Sequence, residues 1–222
     1  MTGLGLFVEM PCKRGEPRIT LLSPTRQSLD DLYRVWAKVL PKVKVPPEPE
    51  PLATSRSALD VEALSRRVTP EDRAPANGSS IAFLLEHRGA SALLTADAFP
   101  SVLQRALASL AASRRQSLPW TLGLIKLSHH GSRANTTAKL LETVQAPHVL
   151  VSTNGAIFGH PDEEAIARVI TIGTPGREVW FNFGTPRTEV WGNEPLQVRY
   201  GYAARYPVAA GTATTVHLPA KA

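Results

Sequence analysis

The sequence lacks the features that mark disulfide-rich, secreted and membrane-spanning proteins. Its single cysteine, Cys12, excludes an intrachain disulfide and a cysteine-rich zinc site. No apolar run approaches the ~18 residues that a membrane-spanning helix needs. The apolar start, residues 1–11, has no basic segment before it and no small-residue cleavage site after it, so it is a poor signal peptide. These absences predict a cytoplasmic protein that does not enter the membrane.

The sequence also lacks a dense basic block, although basic residues outnumber acidic ones. Its 222 residues include 25 Lys and Arg against 19 Asp and Glu, which gives a formal net charge of +6. A hydrophobic content of 43% and a charged content of 20% are typical of a globular protein. The charge permits contact with nucleic acid, and an ordinary basic surface explains the same composition equally well.

Composition and periodicity divide the chain into four stretches. The first, 1–41, contains a strand at Arg18–Leu22 and a helix from Ser28 to Leu40 that Ser28 caps. The second, 42–78, is a proline-rich linker with a short helix at 58–68. The third, 79–184, is a regular part, and the fourth, 185–222, is an irregular strand-like tail that includes 188–191 and 196–200. The regular part predicts strands at 80–86, 91–95, 121–128, 148–152 and 178–183, and helices at 100–113, 135–146 and 162–172, the last capped by Asp162. This alternation predicts an α/β domain with layered helices and sheet, that is, an α+β layered fold.

Residues with metal-binding side chains follow three of the expected strands, and these residues are Asp97, then His129 and His130, then His160. The carboxyl ends of such strands meet at one edge of a sheet, where sites form. Asp and His are ligands for zinc, manganese and iron. If His129 and His130 are both extended, their side chains point to opposite faces, so only one faces the site directly. Asp97 has an alternative role as the cap of the following helix.

Four polar residues near these strands are candidate contacts for a substrate or an anion, and they are Asn77, Ser79, Ser132 and Asn154. Asn77 and Ser79 belong to an Asn-Gly-Ser-Ser sequence, which by itself indicates a turn and beside a site can hold an anion. Ser132 follows a glycine and can cap the residues after it. Asn154 lies in the loop that leads to His160. The other histidines, His87, His148 and His217, are read as structural or surface residues.

Four short motifs resemble, in this order, the C-terminal half of a metallo-β-lactamase-fold hydrolase; they are Asn77-Gly78-Ser79-Ser80, Leu94-Thr95-Ala96-Asp97, Ser128-His129-His130-Gly131-Ser132 and Gly159-His160-Pro161. The branch that they resemble includes the nuclease-like domain of bacterial DNA-uptake (competence) proteins. The resemblance covers residues 18–183 and implies an αββα sandwich. It also implies a site for two divalent metal ions, zinc or manganese, and hydrolysis of a phosphodiester or related bond by a metal-bound hydroxide.

The resemblance implies a role for each matching residue. Asp97 would bridge the two metal ions, and His129 or His130 would be the late histidine ligand. His160 would lie nearby in the site. We therefore assign Asp97 and His129 to metal binding, and His130 and His160 to catalysis.

The sequence departs from the family pattern at two places. The usual Thr-Gly-Asp is Thr95-Ala96-Asp97 here, which adds a methyl group. The family's His-x-His-x-Asp-His motif is missing, since no histidine precedes His87. A catalytic zinc typically needs three protein ligands and a water. We therefore expect an N-terminally truncated hydrolase that is incomplete by itself. The alternative is a non-catalytic, degenerate half-domain that binds a protein or nucleic acid. A half-sandwich should also expose one sheet face, which a homodimer or a partner chain would cover.

Overall fold

The structure is a computed structural model that describes residues 6–39, 59–209 and 211–220. Short 3-10 turns occur at Ser128–Gly131 and Val190–Gly192. In chain order the other elements are β1 (Val8–Glu9), β2 (Arg18–Ser23), α1 (Arg26–Val39), α2 (Val61–Arg66), α3 (Pro75–Gly78), β3 (Ala82–His87), β4 (Ala90–Leu94), α4 (Pro100–Ser113), β5 (Trp120–Thr121), β6 (Leu124–Lys126), α5 (Ala138–Thr143), β7 (Val144–Gln145), β8 (His148–Val151), α6 (Glu163–Ile172), β9 (Arg177–Phe181), α7 (Pro186–Glu189), α8 (Glu194–Tyr200) and β10 (Tyr202–Arg205).

Eight of the strands form one mixed sheet in the order β1-β2-β3-β4-β6-β8-β9-β10. The pairs from β1 to β4 are antiparallel, and the pairs from β4 to β10 are parallel. Strands β5 and β7 form a separate parallel pair. The predicted α/β layered fold, a large mixed sheet with flanking helices, is therefore confirmed. The αββα sandwich that the resemblance implies stays a prediction.

One face of the sheet is fully buried under helices. Residues in register across the strands form a row on this face that is apolar except for Thr20, and each residue is at most 4% exposed: Thr20, Leu84, Leu93, Ile125, Val149 and Val179. Apolar side chains of α4, α5 and α6, such as Leu107, Leu140 and Ile166, belong to the same core cluster. Burial of this apolar area provides the main stabilisation of the fold.

The opposite face of the sheet is only half-buried; it is mostly apolar on β2, β3 and β4 and carries Lys126 beside Leu94 on β6. It carries a row in register that includes Leu21, Phe83 and Leu94, and all three side chains keep part of their surface exposed. Near one end of this face, Leu218 and Leu85 line a shallow cavity of about 350 Å³. The predicted partner or second copy on this face stays a prediction.

Helix α4 begins and ends where the sequence predicts, whereas three other expected elements differ. Helix α1 begins at Arg26 because the Thr25 hydroxyl accepts a hydrogen bond from the Ser28 amide at 3.1 Å, so Thr25 and not Ser28 is the cap. The expected strand 121–128 is interrupted at Gly123, where a Cβ would lie 2.7 Å from the Ser91 carbonyl oxygen. The expected helix 135–146 is shortened to α5. The proline-rich part of the expected linker, 42–57, lies outside the described residues.

The first part of the C-terminal stretch, 186–200, is helical, so the predicted irregular strands at 188–191 and 196–200 were wrong. The Thr188 amide is capped by Thr185 at 3.3 Å, and the Leu196 amide is capped by Asn193 at 3.3 Å. Each cap is followed by a proline in the first turn. These start signals outweigh the strand preference of the valine and threonine side chains. Strand β10 follows these helices and adds the last strand to the sheet.

Among the described residues, no helix has both the length and the apolar character needed to cross a membrane.

Candidate functional site

Both histidines of the central motif lie in a tight turn after β6. His129 (φ 45°) and His130 (φ 58°) adopt left-handed backbone conformations, and their ring centroids are 6.2 Å apart. The condition under which the two side chains would point to opposite faces, an extended backbone at both residues, is therefore not met. Gly131 (φ 83°) completes the turn, and a Cβ there would lie 2.9 Å from the Pro161 Cβ. Left-handed non-glycine residues are strained, and such strain is concentrated at functional sites.

A third histidine, His160, lies against the first. Its ring centroid is 5.1 Å from that of His129. The Nδ1 atom of His160 is 3.6 Å from the Asp162 carboxylate. Burial alone would raise the pKa of Asp162, but the adjacent His160 and the Arg133 amide hold that pKa below its ordinary value. The Asp162 side chain does not cap α6 as predicted, because its carboxylate accepts the Arg133 amide at 2.8 Å.

Hydrogen bonds fix the orientation of the His130 ring. Its Nδ1 atom lies 2.5 Å from the Ser152 carbonyl oxygen. A carbonyl can only accept, so Nδ1 carries a proton, and Nε2 is the nitrogen that is left to bind a ligand. This is the arrangement in which a histidine binds a metal ion through one nitrogen while the other donates to a backbone carbonyl.

The His129 ring is held by a polar cluster of three residues. Its Nδ1 atom lies 3.2 Å from Asn135 Oδ1, 3.4 Å from Asn77 Nδ2 and 3.6 Å from Asp72 Oδ2. Asn77 and Asn135 both donate their amide groups to the Asp72 carboxylate, at 2.7 and 3.1 Å. The oxygen acceptors favour a proton on Nδ1 of His129, so its Nε2 is also free to act as a ligand.

The Asp72 carboxylate remains ionised within this cluster. Burial alone would raise its pKa. Hydrogen bonds from the Ala74 amide, Asn77 and Asn135, together with the adjacent His129 ring, hold the pKa below its ordinary value. Sequence reasoning missed Asp72 and Asn135, because their loops carry no local pattern and only the tertiary fold brings them to His129.

Asp97 lies where the sequence predicts, just after β4. The Ala96 carbonyl beside it accepts the His129 amide at 2.8 Å, which joins the two loops. The alternative role as a helix cap was wrong, because α4 begins at Pro100 and has no side-chain cap. Within the described ranges, the Asp97 carboxylate has no hydrogen bond or ion pair. Burial lowers the pKa of Lys126, and the charge of Asp97 opposes that shift, so the two groups interact electrostatically.

The other predicted contacts serve local turns. The Ser79 hydroxyl donates to the Ala76 carbonyl at 2.7 Å, and Ser132 Oγ accepts the Ala134 amide at 3.2 Å. Asn154 Oδ1 accepts the Ala156 amide at 3.0 Å. Of the four residues predicted to contact substrate or anion, the structure therefore brings only Asn77 to the histidines.

We expect Ala96→Gly to stabilise the protein. Ala96 has φ 45°, a conformation that costs an L-residue with a side chain about 1–2 kcal/mol. Allowing for the greater chain entropy of glycine, the free energy of unfolding should rise by about 0.5–1 kcal/mol in urea titrations. The control Ala92→Gly, in the interior of β4, should lower it by about the same amount. A loss of stability in Ala96→Gly would contradict the strain at this position.

In the part of the chain that the structure describes, no three His, Cys, Asp or Glu side chains are grouped so as to hold a metal ion. The orientation of His129 and His130 nevertheless fits metal ligation, since each has an acceptor at Nδ1 and a free Nε2. Protein-family models, curated proteins and solved structures give no match to the chain.

Proposed function

We propose that the chain is part of a metal-dependent hydrolase of the metallo-β-lactamase superfamily, which cleaves a phosphodiester or related bond with a metal-activated water. One observation carries this proposal. Two neighbouring imidazoles, His129 and His130, are each oriented through Nδ1 so that Nε2 is free, and they lie next to the Asp97 loop. Metal-binding histidines almost always have such a partner at the second ring nitrogen.

His129, His130 and Asp97 are the residues that would hold zinc or manganese, because those ions accept imidazole nitrogen and carboxylate oxygen. When bound, such an ion supplies a hydroxide at neutral pH and polarises a phosphoryl oxygen. The protein's own groups prepare the site. Asp72 and Asn135 hold the His129 ring, and the pair of His160 and Asp162 can hold or move a proton at the imidazole.

The chain supplies only part of the donor set, so we propose that further ligands come from another segment or chain. The half-buried sheet face that includes Leu21, Phe83 and Leu94 supports this, because an apolar face of that kind calls for a covering partner. The alternative function, a non-catalytic half-domain that binds a protein or nucleic acid, would need the same face and no metal ion.

Metal titration distinguishes these two functions. We expect the metal-free protein to bind about one equivalent of Zn²⁺ in calorimetry, because an oriented pair of histidines with a carboxylate makes a partial site. His129→Ala and His130→Ala should each weaken binding by roughly tenfold or more. The control His217→Ala removes an exposed histidine of the C-terminal segment and should leave binding unchanged. Equal Zn²⁺ affinity of the wild type and the three variants would favour the non-catalytic half-domain.

Hydrolysis is measured on the same proteins with bis(p-nitrophenyl) phosphate and Mn²⁺. Metal binding with little turnover is the result expected of a half-site. If the wild type turns over the substrate faster than His130→Ala, the whole chain by itself provides a complete catalytic site.

A further inference from the structure

A wide basic cleft lies at the end of the sheet opposite the histidines. It has a volume of about 780 Å³ and is bordered by residues 12–16, the β3–β4 turn and the start of β5. Strand β4 runs from this cleft at Ala90 to the site side at Leu94, a span of roughly 13 Å at the usual rise per residue. The cleft is therefore separate from the candidate hydrolytic site.

The wall of this cleft has a strong excess of positive charge. Two carboxylates, Glu16 and Glu86, face five cationic side chains: Lys13, Arg14, Arg18, Arg88 and Arg114. The excess of three charges equals half of the formal net charge of +6 of the whole chain. The fold thus brings cationic residues from three separate parts of the sequence, 13–18, 88 and 114, to one cleft.

The carboxylates near the cleft are already bound to other groups. Glu86 and Glu9 each accept a hydrogen bond from Arg114 at 2.7 Å. Glu16 accepts the backbone amide of Lys13 at 2.9 Å. Arg18 is opposite Glu86 in the sheet register, yet it forms no ion pair among the described residues. The exposed side chains of Arg14 and Arg88 also have no ion pair there.

The position of Arg88 is unusual for an arginine. It forms the β3–β4 turn with Gly89, and both residues have positive φ, 47° and 76°. Two-residue hairpin turns of this kind favour Asn or Gly at both places, and a bulky residue at positive φ is strained. The Arg88 side chain is exposed and belongs to the lining of the cleft.

We propose that this cleft binds a chain of linked phosphate groups, as in the backbone of a nucleic acid strand. Four of its five cations are arginines, whose planar guanidinium groups match phosphate oxygens with paired hydrogen bonds. Arg14, Arg18 and Arg88 make the phosphate contacts. Arg114, fixed by its two carboxylates and lying 5.8 Å over the Trp120 ring, shapes the wall. The proposal is independent of the proposed hydrolase function, since it uses none of the same residues.

The test is fluorescence anisotropy with a labelled oligothymidylate of about 20 nucleotides, over about 50–200 mM salt. The triple variant Arg14→Ala/Arg18→Ala/Arg88→Ala should bind roughly tenfold or more weakly. Each lost phosphate contact should reduce the slope of log affinity against log salt by about 0.7, so that three lower it by about 2. The matched control Arg66→Ala/Arg105→Ala/Arg199→Ala removes the same charge from exposed arginines outside the cleft.

The control makes the proposal falsifiable. If both triple variants lose the same affinity and slope, binding follows only the net charge, and the proposal is overturned. Retention of wild-type binding by the cleft variant would also overturn it. The anisotropy is measured in EDTA, so that oligonucleotide binding does not depend on a metal ion, and a failure of the hydrolase proposal leaves this result intact. Circular dichroism checks that both triple variants are folded.

Competition with unlabelled inorganic polyphosphate identifies the source of the phosphates. Displacement by polyphosphate at equal phosphate concentration would support recognition of the phosphate chain alone. Displacement only by oligothymidylate would support recognition of a nucleic acid, with Trp120 as the aromatic surface for a base. In the second case Trp120→Leu, which keeps the apolar packing, should weaken oligonucleotide binding by roughly fivefold or more.

Discussion

Replacing Arg168 with alanine is expected to destabilise the protein by about 3–5 kcal/mol, or to prevent folding. The Arg168 side chain lies on α6 and is buried, with 4% of the residue's surface exposed. Its guanidinium donates to the Arg133 and Thr136 carbonyls at 2.8 and 2.9 Å, and to the Arg67 carbonyl at 2.6 Å. It also donates to Thr69 Oγ1 at 3.0 Å and to the Ser65 carbonyl at 3.4 Å.

Five oxygens from two distant segments, 65–69 and 133–136, therefore depend on one side chain. Burial lowers the pKa of Arg168, and the charge of Glu164 opposes that shift. Truncation would leave buried carbonyls without a donor, and each unsatisfied group costs about 1–3 kcal/mol. The first segment lies just before Asp72 and the second contains Asn135. The same change should therefore also loosen the cluster around His129.

Urea unfolding followed by circular dichroism measures this loss. The control Arg66→Ala removes an exposed arginine whose partner is Glu62 at 3.4 Å, and it should cost at most about 0.5 kcal/mol. Arg168→Lys keeps the charge but has fewer donors, so its loss should lie between the two. A similar midpoint for Arg168→Ala and Arg66→Ala would show that the network does not stabilise the fold.

The second large effect is expected for Asn135→Ala, which should lower both stability and metal affinity. Asn135 is fully buried. It contacts His129 through Oδ1 and donates through Nδ2 to Asp72 and, at 3.3 Å, to the Asp97 carbonyl. Its loss removes a donor from the partly buried Asp72 carboxylate and frees the His129 ring. We expect a stability loss of about 2–3 kcal/mol and a roughly 10–100-fold weaker affinity for Zn²⁺.

Two measurements separate these effects of Asn135→Ala. Unfolding in urea without metal gives the stability loss, and calorimetry well below the unfolding midpoint gives the Zn²⁺ affinity. The control Asn154→Ala removes an exposed asparagine that bonds only within its own turn, and it should change neither quantity substantially. Unchanged affinity in a folded Asn135→Ala protein would mean that the His129 ring needs no support to bind the ion.

The sequence predicts most where the pattern is local. The regular spacing of apolar residues predicts α4 to the residue, and the strand ends predict that Asp97, His129 and His160 meet at one edge. The conformations of His129 and His130 could not be predicted, because a tertiary hydrogen bond between the His129 amide and the Ala96 carbonyl helps to hold their left-handed turn.

The supporting residues of the site were missed for a related reason. Asp72 and Asn135 are 63 residues apart in sequence, and nothing local to either marks it as a partner of the other. The helices α7 and α8 were missed because strand-favouring side chains were weighed above the Thr185 and Asn193 caps. Those cap-and-proline pairs are local signals, and they could have predicted both helices.

The two edges of the eight-stranded sheet are both protected against pairing with another strand. At one edge β1 has only two residues, Val8 and Glu9, and offers little backbone to an incoming chain. At the other edge β10 ends in Arg205, which is bound to Glu178 at 2.6 Å, and Pro207 follows close behind. Short strands, charges and proline are the usual devices against edge-to-edge growth. Self-association of this protein should therefore bury sheet faces, and should not extend the sheet into a fibre.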